Sequence, residues 1–583
     1  MGTATLRRSA RYTTAVGVLL AAAMVTTTVQ AAPQAAPAPL RERVAKALGD
    51  EKRLSSGLRM WLAGPPAARQ PARQAAAMPV FGDNVDANDP ARDLAAGQSE
   101  TAIAAQRGSG GRRLVLTGWN DISAFLVADP TSRVGSGTGV GLSGDGGAHF
   151  RDLIGLPNNN ADQQWSGDPV VVSLGDGRHF AVSSLYYPSL RACTGTAPAY
   201  GTVAVTIVTV NAAGTSASFG PPVAVTLPGN LCTSSSPDQP ADLATLDKDW
   251  MAYDRRSRTL SVSYTRLFFP PPPVCDPTGC TFPPGGHSGN GQIEIVRATV
   301  PANPATLSAR SFGAPAVVWP EEPNCAGGIP SSPASRCGAL NQGAYVAVAS
   351  GGDTYVGWER NIASNVGNGD PYVYVHAARV PARSSAPVVG GTAHPVVVSR
   401  GQPHGTSAGG TKSLDTTFIA GYSRGQGQDF PRVAIDVPAN RVLFEWNDAS
   451  VHPLGDIWLR AASLNLGSLA RTVRVNDDSG FALHFLPAVT VRPDGTICSS
   501  WYDRRRSGPS STVTDYYAEC RPAPGTNATD VRITTGATDW NGTSSAINPN
   551  FGDYTDTATD GTRTYFTWSD GRVGVPQPFV ASR

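Results

Sequence analysis

Short runs of apolar, β-branched and aromatic side chains, broken at close intervals by polar turns, fill most of this chain. The clearest is Phe485 to Arg505, FLPAVTVRPDGTICSSWYDRR. An apolar segment entered through Leu486-Pro487 meets a turn at Pro493-Asp494-Gly495, and a second segment ends at Trp501 and a charged cluster. Val489, Val491, Ile497 and Trp501 favour a pleated surface, and Asp-Gly between two such runs is a strong hairpin signal. The same arrangement recurs from Glu100, Asp168, Asp249, Ala344, Pro431 and Tyr554. Seven hairpins of one design predict one repeated architecture.

The residues closing each second strand, Trp119, Tyr187, Tyr264, Trp358, Trp446, Trp501 and Trp568, stand far enough apart for four short strands and their loops. Further strand pairs follow several hairpins, as from Asp456 and Tyr516. Four-stranded units repeated radially are the β-propeller's answer to exposed sheet edges. Val80–Asp86 resembles Val473–Asp477, so the amino-terminal strand is expected to complete the last unit and close the ring. The expected fold is therefore all-β: a seven-bladed propeller over residues 79–583, with six blades as the alternative.

Composition agrees, with 63 Gly, 48 Pro and only 16% charged residues. A net charge of +2 and the lack of a basic stripe argue against a nucleic-acid partner. Residues 1–31 read as an export signal, with Arg7, Arg8 and Arg11 before an apolar stretch from Ala15 to Val25 and small residues at Val29-Gln30-Ala31. Residues 32–78 read as an Ala/Pro-rich linker with a short helix, where Leu40, Val44, Leu48, Leu54, Leu58 and Trp61 fall at helical spacing. No later run is long and apolar enough to span a bilayer. A secreted or periplasmic monomer is expected. Eight cysteines suit that compartment, paired as Cys498–Cys520, Cys275–Cys280, Cys325–Cys337 and Cys193–Cys232, since zinc-type spacings are absent.

One turn carries a family likeness. Ser143-x-Asp145-x-Gly147-x-x-Phe150 resembles the Asp-box of sialidase-like propellers, and Ser463-x-Asn465-x-Gly467 is a degenerate copy. The resemblance implies a structural turn on the face away from the functional one. It does not extend to the family's Phe/Tyr-Arg-Ile-Pro motif, which is missing, nor to a matching nucleophilic tyrosine, so sialidase chemistry itself is not implied.

In a propeller the start of each innermost strand and the end of each second strand share one rim. Here that rim gathers carboxylates, arginines and aromatics, a set suited to a sugar polymer: aromatic faces stack on pyranose rings, Arg grips a carboxylate, and paired acids supply acid and base. His484, Tyr502, Asp503, Asp553 and Asp249 are the candidate catalytic residues. Arg266, Arg360, Arg504, Arg572, Asp168, Glu100 and Tyr187 are the candidate substrate contacts. The expected activity is on extracellular glycans, as a glycoside hydrolase or as a uronate lyase with His484 or Tyr502 as base. The alternative is a non-catalytic propeller binding carbohydrate or protein. No cofactor is assigned; Ca²⁺ on rim oxygens such as Asp83-Asn84-x-Asp86 is compatible, without an EF-hand spacing to assign it. Gly421-Tyr422-Ser423-Arg424-Gly425 matches a hydrolase elbow in letters but precedes a strand, which the elbow does not.

Overall fold

The architecture is that of a computed structural model, which describes residues 84–89, 97–125, 133–159, 164–187, 201–226, 243–269, 274–276, 279–281, 288–325, 337–362, 372–382, 384, 396–399, 419–423, 430–448, 454–479, 482–508, 511–545, 547 and 549–583. The expected export signal, the linker helix and Cys193–Cys232 lie outside the described residues.

Seven antiparallel sheets follow one another along the chain. Blade 1 runs Gln98–Arg107, Arg113–Asp121, Thr138–Ser143 and Arg151–Gly155. The innermost strands of blades 2 to 7 are Val170–Ser173, Leu243–Asp254, Ala339–Val348, Arg432–Asp436, His484–Val491 and Asp556–Thr559. Each packs against the innermost strand of the next blade, and the last packs against the first, so the ring closes. Closure uses the amino-terminal strand: Val85 and Asp86 pair with Val580 and Phe579 on the outer side of blade 7. Asn84 and Asn88 strengthen the join through Ile533 O at 3.0 Å and Gln577 Oε1 at 2.7 Å.

Blades meet through buried apolar faces. The side chains of Leu260, Val262 and Val296 interlock with those of Val203, Val205 and Ile207, for example, between blades 3 and 2. Cys498 and Cys520 oppose each other across blade 6 and are bonded, as are Cys325 and Cys337. Cys275 and Cys280 are directly opposed in a small hairpin outside the blades. No helix among the described residues is long and apolar enough to cross a membrane.

The Asp-box turn joins the third and fourth strands of blade 1. Ser143 Oγ donates to Asp145 Oδ1 at 2.7 Å, and the amides of Gly147 and His149 donate to Ser143 Oγ and Asp145 Oδ1. Phe150 packs on the apolar cluster between blades 1 and 7. Its relative in blade 5 uses Asn465 Oδ1 as acceptor for Ser463 Oγ and the Gly467 amide. Because alternate strands run in opposite directions, both turns lie on the rim where innermost strands end, here called the lower rim. Innermost strands begin, and second strands end, on the upper rim. The lower connections between first and second strands are tight, at 108–112, 174–178, 255–258, 437–440, 492–496 and 560–563. Second strands end on the upper rim at Asp121, Tyr187, Phe269, Ile362, Asp448, Asp503 and Asp570.

Candidate functional site

Four of the seven innermost strands begin with the same irregularity. Register slips between Ser99 and Ala102, Asp247 and Trp250, Gln342 and Tyr345, and Phe485 and Ala488. One residue of each bulge is left-handed: Glu100, Lys248, Gly343 and Leu486, with φ of 53°, 53°, 70° and 51°. Asp168 and Gly552 take the equivalent places in blades 2 and 7, with φ of 54° and 76°. Bulges re-aim side chains, and a left-handed non-glycine residue stores strain that its surroundings must hold. Here the re-aiming sends three charged side chains to one point near the ring axis.

Lys248 is the centre of that point. Its ammonium pairs with Asp553 and lies 3.6 Å from Glu100 Oε1 and 3.7 Å from Asp168 Oδ2. Glu100 accepts from the Asp553 amide at 3.1 Å, while Asn120 bridges Glu100 and Asp168. Tyr422 Oη sits 2.8 Å from Asp553 Oδ1 and 2.7 Å from Gly552 O, covering the cluster from a segment outside the blades. All four charged side chains are sealed, none more than 4% exposed. Burial pushes Glu100 well above the usual carboxylate range, and the negative charge of Asp168 pushes it further. Burial opposes the charge on Lys248 as well, but Asp553, then Glu100 and Asp168, outweigh it and hold the ammonium protonated. Asp249, next in the chain, receives the Ser183 hydroxyl and is pushed up to about 7 by burial despite that bond.

Two residues beyond the left-handed positions of their blades, Trp250, Tyr345 and Tyr554 form a second layer around Arg432, the first residue of the innermost strand of blade 5. The Arg432 guanidinium lies 4.0 Å from the Tyr345 ring centroid, 4.9 Å from that of Trp250 and 5.7 Å from that of Tyr554. Below this layer the axis opens into a cavity of about 390 Å³ lined by residues of all seven innermost strands. The axis is therefore stoppered at the upper rim and hollow towards the lower one.

Glu100, Asp168, Asp249 and Asp553 are thus brought together; the remaining candidates are not. His484 is buried, with Nδ1 2.9 Å from Gly455 O and Nε2 3.1 Å from Asp478 Oδ1 and 3.4 Å from Asp503 Oδ2. A carbonyl on one nitrogen and carboxylates on the other fit the doubly protonated ring. Burial pulls His484 down, but Asp478 and Asp503 outweigh it and raise it. Asp503 also accepts from Trp501 Nε1 at 2.9 Å and Arg505 Nε at 2.8 Å. Blade 7 repeats this turn with Trp568, Asp570 and Arg572. Tyr502 Oη donates to Ser569 O at 2.8 Å and joins blades 6 and 7 from within the core. Tyr187 ends its strand opposite Gln164.

The four arginines are held apart, each in its own setting. Arg360 grips Glu322 with two nitrogens, and Arg266 lies 3.3 Å from Glu294. Arg572 reaches Asp570, Thr535 and Asn84. Arg504 gives its donors to Thr514 Oγ1, Ser511 O and Ala420 O over the rings of Phe485 and Trp540, and burial lowers it to about 9. Among the described residues no group of three or more His, Cys, Asp or Glu has the geometry to hold a metal ion. The Ser423 of the elbow-like motif accepts the Asn550 amide at 2.9 Å, and among the described residues the next element is the strand Arg432–Asp436.

Sequence reasoning missed Lys248, Tyr422, Arg432 and the aromatic layer. Aligning the hairpins on their first polar residue sets Asp249, one residue later, in the place that Lys248 takes. No local pattern points to Tyr422.

No family model matches this chain, and no curated protein matches it. Solved structures similar to it include an α-L-arabinanase of Penicillium chrysogenum complexed with arabinobiose, at 9% identity and TM-score 0.37, over 86% of this chain and 97% of that one. A Hadza microbial sialidase is 9% identical with TM-score 0.38, over 76% and 73%. The Trypanosoma rangeli sialidase is 9% identical with TM-score 0.34, over 74% and 56%. The likeness at this level is one of fold.

Proposed function

We propose that the chain is an exported, carbohydrate-active propeller that takes a glycan across its upper rim and hydrolyses it there. The observation that carries this reading is the convergence of Glu100, Asp168 and Asp553, from blades 1, 2 and 7, on Lys248 of blade 3. Hydrolysis of a glycosidic bond uses one carboxyl kept protonated and one kept ionised. Burial favours the first state at Glu100, and Asp553 is paired with the ammonium of Lys248. The proton held by Glu100 would go to the leaving oxygen, while Asp553 would activate water or meet the sugar carbon. Access requires the Tyr422 hydroxyl to leave Asp553. The lyase reading needs His484 or Tyr502 as base, and both spend their polar atoms inside the fold.

The test is a screen of the purified protein on arabinans, sialosides, ulvan and pectin, reading reducing ends and unsaturated uronates separately. Reducing ends released by wild type and lost in Glu100→Gln and Asp553→Asn support the proposal. Release that survives both substitutions overturns it.

One observation favours a second reading, a propeller that binds glycans without turning them over. The carboxylates are sealed rather than presented to solvent. Retention on a glycan array with no product from the retained glycan would select this reading.

A further inference from the structure

The hollow lower half of the axis is a separate place from the upper rim. At its closed end sits Arg432, 4% exposed and the only Lys or Arg among the residues lining the cavity. Its Nε donates to Pro487 O at 2.8 Å and its Nη2 to Thr555 O at 3.1 Å, while Nη1 has no hydrogen-bond partner. Both bonds end on neutral carbonyls. Among the described residues no carboxylate forms an ion pair with this guanidinium. Glu445, opposite it on the neighbouring strand, accepts from Ser499. Asp556, which lines the cavity, accepts the amides of Ile103 and Thr557 at 3.0 and 2.8 Å. Asp556 and Glu445 lie within electrostatic range of Arg432 but neither touches it, and a buried cation with no carboxylate in contact is costly, with stacking on rings offsetting only part of that cost.

The walls suit an anion too. Innermost strands turn their unpaired edges to the axis, so the cavity presents backbone N–H groups as well as carbonyls. One such edge amide, that of Ile103, already donates to a carboxylate oxygen. Sealed cation, free donor, edge amides and a cavity of about 390 Å³ meet in one place.

We propose that the lower axial channel binds a small oxyanion, a monocarboxylate no larger than a sugar acid, which enters from the lower rim and pairs with Arg432. The site faces away from the proposed glycan rim and does not depend on it. Guanidinium and carboxylate form a charge-assisted pair, stronger where water is excluded.

The probes are acetate, glucuronate and sulfate at constant ionic strength, with glucose as the uncharged match for glucuronate, read by thermal shift and by calorimetry. The expected result is a saturable rise in Tm with acetate or glucuronate and none with glucose. Arg432→Gln should weaken binding about ten-fold or more. Thr490→Trp, at a half-buried position in the outer half of the channel, leaves Arg432 in place and should block binding by filling the passage. It keeps the test open where Arg432→Gln fails to fold. A response to sulfate alone would replace the carboxylate with an inorganic anion and overturn the stated class. No saturable response, or one unchanged by Thr490→Trp, would overturn the site.

Discussion

Lys248 shows how much one side chain can hold. It neutralises a group of acids that would otherwise repel one another with no water to screen them. Replacing one partner of a buried ion pair costs roughly 3–5 kcal/mol, because the other charges stay buried. Lys248→Met should lose about that much in urea unfolding, and a loss under about 1 kcal/mol would mean the acids simply take up protons instead. Gly343 is fixed by a different force. A methyl group there would overlap the Phe430 ring on a backbone of φ 70°, so Gly343→Ala should lower Tm sharply, while Ala at exposed Gly110, which has a similar φ of 68° and meets nothing, should lower it much less. The acids of this cluster were legible in the sequence because each stands close to the first apolar residues of a hairpin. Lys248 was not, because a bulge inserts a residue and reverses which way its neighbours face, which alternation alone does not reveal.

At the scale of elements, the closing strand and the turn at 143–150 were both readable. The sequence likeness between Val80–Asp86 and Val473–Asp477 reflects a shared role as the outer strand of a blade, seen at Val85–Asp86 and Val473–Arg474. Removing residues 79–89 would leave Gln577–Ser582 as an open edge. The expected outcome is a lower Tm and growing light scatter on warming, as unpaired edges recruit other chains. Asp145→Ala removes the acceptor for Ser143 and the His149 amide on the lower rim. It should cost about 1 kcal/mol in denaturant unfolding and leave any glycan turnover unchanged. The four arginines illustrate what the sequence hid. Their place on the rim followed from strand direction, but whether each turns to a ligand or to a blade depends on distant partners such as Glu322 and Ala420.

Over the whole molecule, the buried acids set the pH at which the ring is most stable. Burial raises Asp86 to about 8, and Asp249 and Asp556 to about 7. The folded protein therefore holds these protons more tightly than the unfolded chain does. The stability they contribute is complete below their ordinary value and is lost as pH rises through 7 to 8. In the opposite sense, Asp560 is lowered to about 2, since the Arg563 and Thr562 amides and other partners outweigh its burial, and its contribution disappears only near that acidity. Tm should peak on the mildly acidic side and decline towards alkaline pH, and Asp86→Asn should make the decline shallower. A Tm that rises from roughly pH 6 to pH 9 would contradict this. The ring matters most for where a ligand goes, since it gathers acids from four blades at the upper rim. The direct test is a crystal structure with a bound oligosaccharide from the glycan screen. The account predicts sugar density over the upper rim, above Lys248, with a ring within hydrogen-bond reach of Glu100 or Asp553. Sugar bound on the outer strands or at the lower rim, with the Lys248 cluster still sealed, would contradict it.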